Sequence, residues 1–146
     1  WDRTLRICLT APAFLAKWAA EAMEKRGDGG VILNISSIMS QQAAGTSPAY
    51  VASKGALDSL TYELAAPYGR SGIRVVSVNP GWVDTEMSAP TMANPTLRQR
   101  ALSTIPLGRI ADPREIAGPI LFLCTSLAGF MTGEIVNVNG GAVLVG

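Results

Sequence analysis

Residues 31–54 read VILNISSIMSQQAAGTSPAYVASK, and this stretch predicts a strand, a polar loop and a helix in direct succession. Val31–Ile35 is a short, mostly apolar and β-branched run, which is typical of a buried strand. Small polar residues fill positions 36–46 and predict a loop. A Ser-Pro pair at 47–48 then provides an N-cap and a proline at the first helical position, so we expect a helix to about Tyr68.

Three chemically versatile side chains lie within this stretch: Ser37, Tyr50 and Lys54. Tyr50 and Lys54 are four residues apart, so on a helix they share one face, with Cβ atoms about 5–6 Å apart. A phenol beside an ammonium group can serve as an acid and a base near neutral pH, because nearby positive charge favours the phenolate. Taken singly, a loop serine, an aromatic residue on a helix face and a solvated lysine would need no functional explanation.

Two further segments predict helices. Apolar residues recur with a period near 3.6 along Trp1–Arg26, which indicates one helix with a kink at Pro12. An Asp-Pro-Arg-Glu sequence at 112–115 is a capping box with proline at the first helical position, so we expect a helix that ends near Ser126.

A long segment without a strand pattern, residues 82–111, precedes this last helix. It contains Pro90, Pro95 and Pro106, and a short helix is expected around Thr96–Ser103. Long irregular segments of compact domains are often binding loops or lids. An apolar lid over a substrate and an ordinary amphipathic segment both fit this composition.

Two more apolar runs, at Ile73–Val78 and Glu134–Val138, predict strands. Asn-Pro-Gly follows the first at 79–81 and Asn-Gly-Gly follows the second at 139–141, and both are expected to end their strand. Connections that contain a helix imply parallel pairing with right-handed crossovers. The expected fold class is therefore α/β, a Rossmann-like doubly wound parallel sheet that is only partial, with three strands and flanking helices.

The composition excludes several classes of function. A chain of 146 residues with 48% hydrophobic and 16% charged residues fits one globular domain. A net charge of +1 without a basic run argues against nucleic acid as a partner, and no apolar run reaches the roughly 18 residues of a membrane span. Since histidine is lacking, every mechanism that needs a catalytic or metal-bound histidine is excluded. Two cysteines, Cys8 and Cys124, indicate a reducing compartment, and we expect the cytoplasm.

The motifs together resemble the C-terminal half of a classical short-chain dehydrogenase/reductase, over essentially all of the chain. They are Ser37 thirteen residues before Tyr-x-x-x-Lys, VNPGWVDTEM at 78–87, PLGRIADPREIAG at 106–118 and GEIVNVNGG at 133–141. The resemblance implies that residues 1–146 are the C-terminal catalytic half of a single Rossmann-fold domain, with its last three strands. The N-terminal dinucleotide-binding half is then absent, and we expect a fragment, since the chain starts at Trp1 in a helical pattern.

The resemblance also implies roles in the interconversion of a ketone and a secondary alcohol by hydride transfer (EC 1.1.1.-). Tyr50 would be the general acid or base at the substrate oxygen. Lys54 would favour the phenolate and bind the nicotinamide ribose, and Ser37 would orient the substrate oxygen. The cofactor would be NAD or NADP, with no metal, and the sequence does not indicate which, because that choice normally depends on the absent half.

The resemblance also implies which residues at and after the end of the second strand contact the cofactor. Pro80, Gly81 and the Val83 backbone would line the nicotinamide, and Thr85 would contact its carboxamide or a phosphate. The expected partners are a small carbonyl or alcohol substrate and further copies of the full-length protein, as a dimer or tetramer.

Two departures from the family pattern support an alternative. Cys8-Leu9-Thr10 stands where family members usually have Asn-Leu-Thr, whose asparagine helps to hold a water in the proton relay. No glycine-rich dinucleotide loop is present. The alternative is a non-catalytic truncated chain of this type, a pseudoenzyme or oligomerisation module. We expect the 146-residue chain alone to be inactive and to bind cofactor weakly or not at all.

Overall fold

The computed structural model describes residues 1–43 and 45–143, so residues 144–146 of the expected tail lie outside the described part. Its centre is a parallel sheet of three strands in the order β1-β2-β3, and this confirms the predicted α/β class. The strands are β1 (Gly30–Ile35), β2 (Ile73–Pro80) and β3 (Ile135–Val138). The central strand β2 pairs with both neighbours. All of β1 pairs with Ile73–Val78, and β3 pairs with the last four residues of β2, Ser77–Pro80.

Strand β2 continues through Pro80, so the prediction that the Asn-Pro-Gly sequence ends it at Val78 is wrong. The reason is the direction in which the backbone nitrogens at the end of β2 point. The Ser77 N–H donates to the carbonyl of Glu134, the residue before β3, at 2.8 Å, and the Gly81 N–H donates to the Val138 carbonyl of β3 at 3.0 Å. The nitrogen of Pro80 therefore faces the β1 side, beyond the residue at which β1 has ended, and proline there removes no ladder hydrogen bond.

The first helix, α1, passes through Pro12 and ends at Arg26, as predicted. The predicted kink takes a particular form: the helix widens to a π-helical turn over Arg6–Thr10, between Asp2–Leu5 and Ala11–Arg26. Proline lacks an N–H group, and its ring would clash with the carbonyl four residues earlier, so a wider turn relieves the helix at this point.

Helix α2 (Pro48–Tyr68) begins and ends where the sequence predicts. Ser47 occupies the N-cap position, but its side chain makes no capping hydrogen bond to the described residues. One face of α2 is buried against the sheet. Its buried residues are Ser53, Leu57, Asp58, Thr61 and Ala65.

The segment between β2 and the last helix holds two short helices, α3 (Ala89–Ala93) and α4 (Pro95–Ser103). The sequence predicted only α4. Helix α5 (Pro113–Leu123) starts with the predicted capping box, in which Asp112 accepts from the Arg114 N–H and Glu115 accepts from the Asp112 N–H. It ends three residues earlier than predicted, and a 3₁₀ turn, Ser126–Ala128, follows.

The core has one apolar cluster on each face of the sheet, which makes three layers. On one face α1 and α2 pack against β1 and β2, and on the other α5 packs against β2. Burial on both faces explains why the strands are continuous apolar runs rather than alternating ones. None of the helices among the described residues has both the length and the apolar character required to cross a membrane.

Candidate active site

The predicted site residues lie at the carboxyl edge of the sheet, where ligands of doubly wound folds bind. Ser37 follows β1 directly, and Pro80 and Gly81 are at the end of β2. Helix α2 begins beside this edge with Tyr50 and Lys54 in its first two turns.

Lys54 connects helix α2 to the end of β1. Its Nζ atom donates to the Ile35 carbonyl oxygen at 2.7 Å, and it lies 5.5 Å from the centroid of the Tyr50 ring. The ammonium group and the phenol therefore face the same edge of the sheet.

Burial lowers the pKa of the Lys54 ammonium below its ordinary value, and electrostatic interactions with Cys8 and Asp58 oppose that shift. The π-helical turn of α1, which carries Cys8, packs against helix α2. Position 8 therefore lies on a turn that contacts the helix of Tyr50 and Lys54.

Ser37 is buried and caps the short 3₁₀ turn Ile38–Ser40, where its Oγ atom accepts from the Met39 N–H at 3.2 Å. The hydroxyl hydrogen of Ser37 donates to no group of the described residues. It can therefore donate to a ligand oxygen at this edge.

Two serines that the sequence did not single out hold the surrounding backbone. Ser36 Oγ donates to the Lys54 carbonyl at 3.0 Å and ties β1 to α2. Ser88 is buried, and its Oγ donates to the carbonyls of Val83 and Thr85 and accepts from the Thr85 N–H. A polar residue next to a strand end and the Thr-x-x-Ser spacing were the available signals, but both are common in loops.

The turn after β2 brings two backbones unusually close. A Cβ atom at Gly81 would lie only 2.8 Å from the Cα of Asn139, so any other residue would push these segments apart. Val83 bridges to Ala111, and the hydrogen bonds of that bridge come from its neighbours Trp82 and Asp84. In the described part of the chain, the N–H group of Val83 has no acceptor and can serve a ligand.

Thr85 is exposed, and its backbone is held by Ser88. A cleft of about 210 Å³ lies beside Trp82 and Asn139. The Nδ2 atom of Asn139 is buried and has no partner among the described residues. This cleft does not include Ser37, Tyr50 or Lys54.

The fold and the site define a class: a partial Rossmann-like sheet with a serine, a tyrosine and a lysine at its carboxyl edge. The family model described as Enoyl-(Acyl carrier protein) reductase matches residues 1–143. A relative, cis-4-hydroxycyclohexanecarboxylate dehydrogenase of Sinomonas cyclohexanicum, is 37% identical over 145 residues, which are 99% of this chain and 57% of that protein.

Three solved structures have the same fold at high similarity. A short-chain type dehydrogenase/reductase from Mycobacterium ulcerans matches with a TM-score of 0.94 and 32% identity, over 97% of this chain and 51% of that one. Gluconate 5-dehydrogenase from Burkholderia cenocepacia, in complex with NADP and tartrate, gives 0.93 and 30%, over 97% and 55%. A 4-hydroxyisoleucine dehydrogenase complexed with NADH gives 0.93 and 32%, over 95% and 57%.

The chain belongs to the short-chain dehydrogenase/reductase family, as its motifs indicated. It spans about half the length of the curated relatives it matches, for example 56% of an oxidoreductase of Thermotoga maritima.

Proposed function

We propose that the full-length protein is an NAD(P)-dependent oxidoreductase that interconverts a ketone and a secondary alcohol, and that residues 1–146 supply its C-terminal catalytic half. The observation that carries this proposal is the position of Lys54. Its Nζ atom is fixed on the Ile35 carbonyl at the end of β1 and faces the Tyr50 ring. Only a folded helix α2 packed on this sheet edge brings the two groups together there.

Tyr50 acts at the substrate oxygen. Its phenol donates a proton to that oxygen during reduction and takes it back during oxidation. Lys54 stabilises the phenolate that remains after proton donation, because its ammonium charge lies beside the ring. Ser37 donates its hydroxyl hydrogen to the same substrate oxygen and so orients it toward Tyr50.

The residues present fit the nicotinamide end of NAD or NADP. The Val83 N–H lacks an acceptor among the described residues, and Lys54 places an ammonium group at the end of β1. Pro80, Gly81, Val83 and Thr85 would line the cofactor, together with Tyr50 and Lys54. When bound, the cofactor supplies or accepts the hydride. Similar structures hold NADP in one case and NADH in another, and both cofactors remain candidates.

The non-catalytic alternative is favoured by a specific observation at position 8. Cys8 is close enough to Lys54 to affect its pKa, so the residue that departs from the family pattern belongs to the surroundings of the site. A thiol is a weak hydrogen-bond donor and acceptor compared with an amide. A protein without a working proton relay would keep the fold and lose the reaction.

Tyr50→Phe tests the proposal in the full-length gene product. We expect reduction of a panel of small ketones by NADH or NADPH, and a loss of about 10²- to 10⁴-fold in kcat in the variant, the usual contribution of general acid–base catalysis. Tyr62→Phe is the matched control, since Tyr62 lies on the same helix but is exposed, and its rate should be unchanged. A full-length protein that binds neither cofactor by calorimetry and reduces no ketone would support the alternative.

Further expectations concern the molecule as a whole. The isolated chain should bind NADH or NADPH weakly or not at all in calorimetry, because most of the cofactor's contacts belong to the other half of the domain. We propose that the full-length protein works in the cytoplasm as a dimer or tetramer. Exposed aromatic side chains on α1, Phe14 and Trp18, support self-association, and light scattering measures it.

A further inference from the structure

Asp58 is a carboxylate buried in helix α2 that the proposed mechanism does not use. It lies one turn after Lys54 and is only 8% exposed. Its two oxygens accept from two side chains of β2: Oδ1 from Ser77 Oγ at 3.1 Å and Oδ2 from Asn79 Nδ2 at 2.9 Å. Because a buried carboxylate is costly unless it is hydrogen-bonded, both bonds are needed for the fold to hold it there.

The hydrogen-bonded network extends to the loop that carries Ser37. The Nδ2 atom of Asn79 also donates to Ser40 Oγ at 2.8 Å. Ser40 belongs to the short turn that Ser37 caps, and the Ser40 N–H donates to the Ser37 carbonyl at 2.9 Å. One carboxylate on α2 is thus connected, through three hydrogen bonds, to the backbone of Ser37.

The three connected segments are those that carry the proposed site. Helix α2 holds Tyr50 and Lys54, the Ile38–Ser40 turn follows Ser37, and Asn79 directly precedes Pro80 and Gly81. We propose that Asp58 is a positioning residue for the reaction, which sets the relative placement of these three segments. This inference rests on the proposed function, since it concerns the same site.

A purely apolar contact could hold α2 on the sheet, but it would not fix the orientation of the three segments as hydrogen bonds do. Hydrogen bonds constrain distance and angle, and misplacement of a reacting group by about 1 Å can lower a rate by about 100-fold. The negative charge of Asp58 has a second effect on the site. It favours the charged form of Lys54, whereas burial disfavours that form.

A second buried polar pair on α2 provides the control. Thr61 lies one turn further along, accepts from Asn34 Nδ2 at 2.9 Å and donates to the Leu57 carbonyl. This pair ties α2 to Asn34 of β1 and forms no hydrogen bond to the Ile38–Ser40 turn or to Asn79. Its removal should therefore destabilise the protein without disturbing the placement of the site.

The experiment compares Asp58→Ala, Asp58→Asn and Thr61→Val in the full-length protein, with ketone reduction and melting temperature measured for each. We expect Asp58→Ala to lower kcat by about 100-fold, with the substrate KM changed by less than about threefold. Asparagine has the same size and can accept from Asn79 while it donates to Ser77, so Asp58→Asn should restore kcat to within about threefold of wild type. Thr61→Val should lower the melting temperature and leave kcat unchanged.

Two results would overturn the inference. They are an Asp58→Ala variant whose kcat equals that of Thr61→Val, and an Asp58→Asn variant as slow as Asp58→Ala. If Asp58→Ala does not fold, Ser40→Ala tests the same connection at a half-exposed position. It should lower kcat at least threefold, an estimate of about one lost hydrogen bond, and an unchanged kcat counts against the inference.

Tyr50→Phe in the same assay separates this inference from the proposed function. If Tyr50→Phe keeps full activity, the proposed function itself fails. If Tyr50→Phe is inactive while Asp58→Ala is as active as the Thr61→Val control, only the positioning role of Asp58 fails.

Discussion

Two adjoining regions of the molecule are built in opposite ways: the contact between α2 and β2, and the segment 82–111 that follows β2. In the first, six residues of β2 are buried, and α2 buries polar as well as apolar side chains against them. In the second, Met87 is 86% exposed and Leu107 67% exposed, and the helices have five and nine residues. The Val83–Ala111 bridge joins the two ends of the segment to each other, the Leu107 N–H donates to the Gly140 carbonyl, and only a few residues of the segment, such as Ala101 and Ile105, are buried.

The contrast teaches how this site divides its tasks. The groups proposed to move the proton lie on a rigid scaffold, where hydrogen bonds and core packing set their positions. Much of the neighbouring segment 82–111 is exposed, so many of its side chains can change without loss of the scaffold. We therefore expect substitutions in α2 and β2 to act on stability and rate, and substitutions in 82–111 to act on substrate preference.

The strongest test of this contrast compares one apolar residue from each region. Leu57→Ala, in α2 at 2% exposure, should lower the free energy of unfolding by about 2–5 kcal/mol, because it leaves a cavity in the core. Met87→Ala should change it by less than about 0.5 kcal/mol. Urea denaturation of the full-length protein measures both, and similar losses for the two variants would remove the distinction between the regions.

A second test concerns the boundary between the regions, at Gly81. Gly81→Ala should destabilise by about 1–3 kcal/mol, because the added Cβ would overlap the backbone of Asn139. Gly69→Ala is the control, since a Cβ there meets no atom within 4 Å and the backbone is helical. It should be neutral or slightly stabilising. Equal melting temperatures for the two variants would contradict the close approach.

A third test removes one hydrogen bond inside the rigid region. Ser36→Ala should cost about 0.5–1.5 kcal/mol, because the Lys54 carbonyl loses its side-chain donor. Ser59→Ala removes a similar bond, from Ser59 Oγ to the Gly55 carbonyl, on the exposed face of α2. That change should stay within about 0.5 kcal/mol. The comparison fails if the exposed variant is the less stable one in urea titrations.

The smallest effect is expected at the start of α5, just beyond segment 82–111. The pKa of Glu115 is lowered from 4.5 to about 2 by two hydrogen bonds from the Arg109 guanidinium and one from the Asp112 N–H. A carboxyl group with a lowered pKa in the folded state stabilises the fold above its ordinary pKa, and this contribution is lost as the pH falls from 4.5 to about 2. Both partners are exposed, so the contribution is small.

Glu115→Gln measures that contribution. Between pH 4.5 and pH 2 the stability of the wild type should fall more steeply than that of the variant, as followed by urea midpoints at each pH. Parallel curves would show that the Arg109–Glu115 pair contributes nothing to the fold.

Local patterns predicted most of the fold. The three strands, helix α2, helix α4 and the capping box of α5 were identified because apolar periodicity and capping residues act over a few neighbouring positions. The end of β2 was not, since whether proline ends a strand depends on which neighbour its nitrogen faces. Helix α3 was also missed, because five residues are too few for a periodic signal.

The amino-acid sequence by itself determined the residue types of the site and their spacing: Ser37, then Tyr50 and Lys54 one helical turn apart, and Pro80-Gly81 after the central strand. Only the tertiary structure decided what holds them. Lys54 donates to the Ile35 carbonyl, 19 residues away along the chain, and Asn79 donates to Ser40, 39 residues away. Such partners depend on how α2 packs on the sheet, and no pattern of neighbouring residues specifies that geometry, because side-chain hydrogen bonds form only after the layers have come together.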